Sequence, residues 1–267
     1  SVDMMTIGAQ NLSIFAGIDR GKDSAIGLTL GGATFAMAMM SDRSNSSRSW
    51  VSVKASANNV SFDGVKNIAL SAKNLDVVVN HAADDGTLVD YVEKNLLVET
   101  GADSSLLFDM DALDGNLLRA SGNFDINIAN SVVFNGEIAI DKSTRRLDFS
   151  TADGGMTGIG NVNTLSIGAN HLNAFIGSNA NASDAVGLEL KDVNLALMFV
   201  NDGGGSSWTA LKAEVGSAAF VGVSNLEISV NSFSVVMNTV DDYYSDALDF
   251  SQNNLEIKTG VDSSVVF

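Results

Sequence analysis

Aspartates are the residues of this 267-residue chain whose grouping could do chemistry. Asp109, Asp111 and Asp114 lie in the run DMDALDG. Asp84, Asp85 and Asp90 lie in DDGTLVD, and Asp241, Asp242, Asp246 and Asp249 in the corresponding stretch further on. Calcium takes about six to eight hard oxygen ligands, which Asp carboxylates and turn carbonyls supply. These ten residues are the candidate metal ligands, and calcium is the one cofactor that their grouping suggests. The spacing is not that of an EF-hand, because DMDALDG puts its third Asp one residue late and no Glu closes the loop. The GGxGxDxUx nonapeptide of calcium β-rolls is absent as well. The alternative is that Asp caps and solvates turns. Divalent ions would then stabilise the chain simply by offsetting its net charge of −17.

Catalytic signals are thin. His81 and His171 are the only histidines, and neither has a Ser or Cys motif to serve. Gly17–Ser24, GIDRGKDS, is one residue short of a phosphate-binding loop and places Asp before Ser. No dinucleotide fingerprint, nucleophile elbow or His-Glu-x-x-His helix occurs. The expectation is that the chain is not an enzyme.

The elements that must carry these residues are strands. Asp outnumbers Glu more than threefold, Asn is abundant, and the usual surface residues of helices are scarce. Short polar side chains bond to their own backbone and favour turns. Val, Ile, Leu and Phe between them read as short strands joined at tight corners. Proline is absent, which suits an unbroken hydrogen-bonded ladder. Cysteine is absent too, so neither disulfides nor thiolate metal sites exist. With 32 acidic against 15 basic residues, nucleic acid is not a partner. The uncharged run Ala25–Met40 is too short to span a bilayer, and its counterpart Ala185–Val200 carries charges. It reads as a pair of buried strands, so no transmembrane segment is expected.

The chain repeats itself. TIGAQNLSIFAG at Thr6–Gly17 returns as SIGANHLNAFIG at Ser166–Gly177, and Trp50 returns as Trp208. GVKNIALSAKNLDVVVN at Gly64–Asn80 matches GVSNLEISVNSFSVVMN at Gly222–Asn238. NLLVETGADSSLLF at Asn95–Phe108 matches NLEIKTGVDSSVVF at Asn254–Phe267. Order is kept at an offset of about 160 residues, the signature of a repeat architecture. The division is 1–160 for a first unit and 161–267 for a second, truncated one, with one continuous core expected across both. The phase of the ends reads as a segment of a longer array.

Alternate residues are apolar in Ile68, Leu70 and Ala72, and again in Leu75, Val77 and Val79. The parity slips at Lys73-Asn74 and, in the other copy, at Asn231-Ser232, so each strand must bulge or bend there. Asn135-Gly136 is the favoured pair for a type I′ hairpin, and Ile138–Phe149 reads as two runs around a polar turn. The expected fold is therefore all-β: an elongated tandem-repeat β-roll or solenoid with long kinked strands wrapped about a narrow core and local antiparallel hairpins. A parallel β-helix is the alternative.

With NIALSAKNLDVVVN-type runs, NLLVETGADSSLLF, GNFDINIA and EIAIDKSTRRLDF, the unit resembles modules of very large bacterial secreted or cell-surface, adhesin-like repeat proteins. That resemblance implies a secreted or surface location, an acidic chain and calcium stabilisation, and carries over no ligand positions. The function expected is a structural or adhesive repeat segment, filament-forming, whose partners are neighbouring copies, surface glycans or other cells. Its contact surfaces would be the loops Ser41–Ser49, His81–Thr87 and Asn201–Ser207, with the exposed sheet edges. An apolar groove that binds lipid is one alternative, and a polysaccharide-acting β-helix enzyme another.

Overall fold

The computed structural model describes every residue except Asp23, Ser46 and the segments 151–155, 242–246 and 251–253, and omits the side chains of 148–150 and 156–160. Alternating β-branched and short polar residues form ten long strands: β1 (Val2–Ile18), β2 (Ile26–Asp42), β3 (Ser49–Asp63), β4 (Ile68–His81), β7 (Asn116–Ile128), β8 (Val132–Ser150), β9 (Met156–Ser178), β10 (Val186–Asn201), β11 (Ser207–Val221) and β12 (Ile228–Val240). They make one antiparallel sheet in the order β1-β2-β3-β4-β7-β8-β9-β10-β11-β12. Two small hairpins lie outside it, β5 (Leu96–Gly101) with β6 (Ser104–Phe108), and β13 (Glu256–Lys258) with β14 (Ser264–Val266).

All-β architecture, long strands and antiparallel pairing are as the sequence implies, but among the described residues the sheet neither closes nor curls, and no solenoid is formed. The roll and the parallel β-helix give way to a meander because the linking turns are tight. A parallel neighbour needs a crossover of a dozen residues or more, and only the β4-to-β7 connection is that long. Ala25–Met40 and its counterpart are likewise one strand each, β2 and β10, rather than pairs.

The parity slips are where the sequence puts them. Asn74 has φ 52° and Ser232 φ 54°, both left-handed. The same conformation recurs at Asn11 and His171, and at Gly32 and Asp192. The pairing of β4 with β7 shifts register between Lys73 and Asp76, and that of β10 with β9 between Leu190 and Val193. One extra residue in each of β1–β4 and β9–β12 restores the alternation on the same side, whereas β7 and β8 pair with each other without any shift. The sheet stays open across these bulges instead of wrapping at them.

Two expected turns are absent. Asn135 and Gly136 lie inside β8, opposite Asp125 and Phe124. The I′-type corner is Ala129-Asn130 instead, with φ 54° and 52° and the Ser131 N–H donating to the Ile128 carbonyl at 2.9 Å. Gly136 serves a close approach, since a Cβ there would fall 2.6 Å from the Cα of Leu172. The run 141–146 also stays in β8, because its polar side chains find cross-strand partners. Ser143 and Thr164 hydroxyls lie 2.7 Å apart, and Thr144 Oγ1 donates to Asn163 at 2.8 Å.

The two faces differ sharply. One cross-sheet row on the first face runs Ala9, Phe35, Ala55, Val77 and Ala120, then Ile140, Ile167, Leu197, Leu211 and Met237, apolar on all ten strands. The opposite face carries Thr29, Ser61, Ser71, Asp125 and Asn135 in one row and Lys54, Arg119 and Asp141 in another. On this second face the small hairpins sit as covers over small residues. Val98, Phe108 and Tyr91 pack on Ala36, Ala38, Val78 and Leu117. Ile257 packs with Ala196, Met198 and Ala210, beside Phe267. Each fully buried large side chain of this kind contributes about 1.5–3 kcal/mol. A third cluster, Ala33, Ala57, Val60 and Ala72, lies within the apolar face, with Leu12, Leu75 and Phe124 splayed over it.

Candidate functional site

The aspartates singled out by the sequence are spread along the loops and held by their own turns. Asp85 Oδ1 accepts from the Thr87 N–H at 3.1 Å and the Thr87 hydroxyl at 2.6 Å, and Arg48 Nε lies 2.8 Å from Asp85 Oδ2. Those Thr87 bonds hold the Asp85 carboxyl below its ordinary range. Asp84 is exposed beside it. Asp90 Oδ1 accepts from the Val92 N–H at 2.9 Å. Asp111 caps a short 3₁₀ turn, Ala112–Asp114, by accepting from the Leu113 N–H at 2.8 Å. Asp109 pairs with Lys54 at 2.5 Å, and Asp114 lies 3.6 Å from Arg119. Asp241 Oδ1 accepts from the Ser207 N–H at 2.7 Å. Asp249 follows Leu248, which is buried in the second cover's cluster. Asp242 and Asp246 lie outside the described residues. Among the described residues no three such groups converge on one point.

The histidines are equally separate. His81 Nδ1 is 3.0 Å from Asn116 Oδ1, and the exposed His171 Nδ1 is 2.5 Å from Asp192 Oδ1. Between β1 and β2, Lys22 pairs with Asp19 at 2.9 Å in a corner joining two strands, not a strand-to-helix phosphate cradle.

Three surfaces were harder to read from sequence. The first is a charged cleft of about 340 Å³ between the covers, lined by Asp114, Arg119, Asp141, Arg145, Glu256 and Lys258, among others. Arg119 donates from Nε and Nη2 to Asp141 Oδ2 at 2.9 and 2.6 Å. Arg145 Nε is buried without a partner, while Arg145 Nη1 lies 4.0 Å from Asp114. Bonds from Ser264 and Lys258 hold the Glu256 carboxyl low. Four acids, Asp111 included, face three bases here, and the only hydroxyl in the lining, Ser166, has no histidine beside it. Its ion pairs tie the 3₁₀ turn at Asp114 to Arg119 and Arg145 of the sheet, while Lys258 and Glu256 pair within the second hairpin. The cleft's one sequence signal is that three of the chain's six arginines, Arg119, Arg145 and Arg146, fall in the stretch between the repeated blocks.

The second surface is a pair of repeat-equivalent apolar notches. One, of about 380 Å³, is lined by Met5, Met39, Met40, Trp50 and Val51 among others. Its partner, of about 470 Å³, is lined by Leu165, Phe199, Val200, Trp208 and Thr209 among others. They open at matching ends of β1–β3 and β9–β11, six strand positions or roughly 29 Å apart. The loops Ser41–Ser49, His81–Thr87 and Asn201–Ser207 gather at that same end of the sheet. Arg48 ties the first two together, stacking 5.1 Å from the Trp50 ring while pairing with Asp85.

The third surface is formed by the outer edges. Among the described residues nothing pairs with the outer edge of β1 or of β12. Inside the chain the equivalent edges are filled: β4, the counterpart of β12, pairs with β7, and β9, the counterpart of β1, pairs with β8. A side chain marks the difference. In the second unit Glu137, from β8, accepts from Asn170 at 2.9 Å and from Ser263 at 3.1 Å. In the first, Gln10 itself reaches the matching Ser104 at 2.7 Å.

Compared with family models, curated proteins and solved structures, the chain has no match to any of them.

Proposed function

We propose that this chain is a non-enzymatic, structural and adhesive repeat segment of a large extracellular or cell-surface protein. Units are added edge to edge in one growing sheet, and loops are displayed along one rim. The observation that carries this reading is the β8–β9 ladder, which crosses from the first unit into the second with antiparallel pairing, bulged at two points, from Val132↔Ile176 to Ser150↔Met156. A further unit can add by the same chemistry, because an open strand edge is a row of unpaired N–H and C=O groups. Stability in such arrays is a sum of unit and interface terms. The rim loops, rich in Ser, Asn and Asp, provide hydrogen-bonding groups suited to glycans or to another surface.

The test is a lengthened chain carrying a second copy of residues 109–160 after Phe267, followed by a further copy of residues 1–108. Small-angle X-ray scattering should show one particle whose longest dimension grows with each added strand, and amides on the outer edge of β12 should become protected from hydrogen exchange. Independent globules on a tether, with the β12 edge still exchanging, would rule the reading out.

A further inference from the structure

We propose that the apolar face of the sheet is closed by a second copy of this chain, the two sheets packing face to face as a sandwich. This goes beyond edge-to-edge extension and does not depend on it, since a facial dimer leaves the edges of β1 and β12 free.

The sheet is amphipathic from one edge to the other. A second cross-sheet row begins at Ala16, Leu28 and Phe62 and ends at Leu190, Ala218 and Val230, again apolar on every strand. A third, starting at Ile7 and Met37, contains Lys142, the one charged side chain in the three rows. Large side chains on this face stand open to solvent, among them Ile7, Ile140, Ile176, Leu188, Phe199 and Val230. Ten strands span roughly 45 Å, and the apolar rows cover roughly 40 Å along the strands, or on the order of 1,700 Å². The largest apolar patch on an ordinary monomer is about 300–600 Å². A stable protein interface needs about 800 Å² from each partner. This face is therefore far too large to stay in water and more than large enough for a dimer.

Three observations favour a second copy as the occupant. The sheet is open and uncurled, and open sheets stack face to face about 10 Å apart through interleaved side chains. The net charge of −17 resides elsewhere, so two such faces meet without acidic repulsion at the contact. The same net charge repels anionic lipid, and the three rows hold no Trp or Tyr to sit at a headgroup layer. A two-fold pairing presents the same patch on both partners, the commonest symmetry of soluble oligomers.

The experiment is sedimentation velocity on the chain at about 10 μM, with Ile140→Glu, Leu188→Glu and Ser71→Glu as variants. Ile140 and Leu188 are 46% and 40% exposed, so each tolerates a charge in a free monomer. Ser71 is exposed on the opposite face. The mass expected is twice 27.8 kDa for the chain and for Ser71→Glu. Ile140→Glu and Leu188→Glu should dissociate at least about 100-fold more readily, because a charge would have to be buried unpaired. Emission from the buried Trp50 and Trp208 should stay unchanged. A monomeric wild-type chain would overturn the proposal. So would a monomer that floats with neutral phosphatidylcholine vesicles, an outcome that makes the occupant lipid, and so would a dimer unaffected by both face variants.

Discussion

Tyr91 donates its hydroxyl to Ser52 Oγ at 2.9 Å beneath the first cover, and Ser52 in turn donates to the fully buried Asn80 at 3.0 Å. Asn80 Nδ2 completes the chain by donating to the Val89 carbonyl at 3.0 Å. In the second unit Asn238 makes the matching bond to the Leu248 carbonyl at 2.5 Å, yet Ala210 and Phe250 replace Ser52 and Tyr91. Both hydroxyls have gone together. Losing a buried pair as a pair is nearly neutral, whereas losing one member strands the other.

That coupling is measurable. Ser52→Ala should cost about 1–3 kcal/mol by leaving the Tyr91 hydroxyl unpaired. Ser52→Ala with Tyr91→Phe should cost less than the two single changes added together. Urea unfolding of the four proteins supplies the cycle, and strict additivity would contradict the account.

Gly8 and Gly168 lie at the same point of the two units, directly under the carbonyls of Glu99 and Lys258 where the covers cross the sheet. There is no room for a Cβ at either position. Gly8→Ala and Gly168→Ala should each destabilise by about 1–3 kcal/mol through overpacking against backbone. Hydrogen exchange should show the loss concentrated in β5–β6 for the first and β13–β14 for the second.

At the aligned bulges the left-handed backbone sets the order of tolerance. Asn74→Gly should leave thermal stability within about 0.5 kcal/mol, while Asn74→Val should cost about 1–2 kcal/mol. Ser232→Gly should be neutral or stabilising by up to about 1 kcal/mol. Melting curves decide it, and equal effects of Gly and Val at Asn74 would refute the bulge.

Acid acts in two directions. Burial pushes the Asp76 carboxyl up, against the pull of Lys54 and Arg119. Its stabilising contribution is complete below the ordinary value of 3.8 and is lost as pH rises through the raised folded value. Asp76→Asn should therefore exceed wild type in stability at pH 7, with the gap closing as pH falls toward 3.8. Asp42, Asp85 and Asp202 are held low by bonds within their turns, from Ser44, Thr87 and Gly204 first. Their contribution is present above 3.8 and fades as pH falls through their folded values, so Asp85→Asn should narrow the difference between the pH 7 and pH 3 melts.

Divalent cations should act on the net charge as a whole. Asp85, Asp90, Asp109 and Asp111 are each tied to a separate turn or cation, and among the described residues no three such groups converge. Calcium and magnesium at equal concentration should then raise the melting temperature equally. A calcium-specific rise in a chelator-treated sample would point to a defined site.

The sequence by itself determined the repeat, the strands, the bulges at Asn74 and Ser232 and the alternation that makes one side of each strand apolar. All of these are local or self-similar properties, written within a few residues or in the match of one block to another. It was ambiguous wherever local chemistry had two outlets: Asn135-Gly136 suits a corner, but the corner is Ala129-Asn130, because the longer β8 pairs along both its neighbours. Tertiary structure alone decided that the strands lie in one open sheet rather than a coil, that the covers choose the polar face, and that Arg119 and Arg145 meet Asp141 and Asp114 in a cleft. Those outcomes depend on which distant strands become neighbours. A period of two assigns each side chain to a face and is silent about what the face meets.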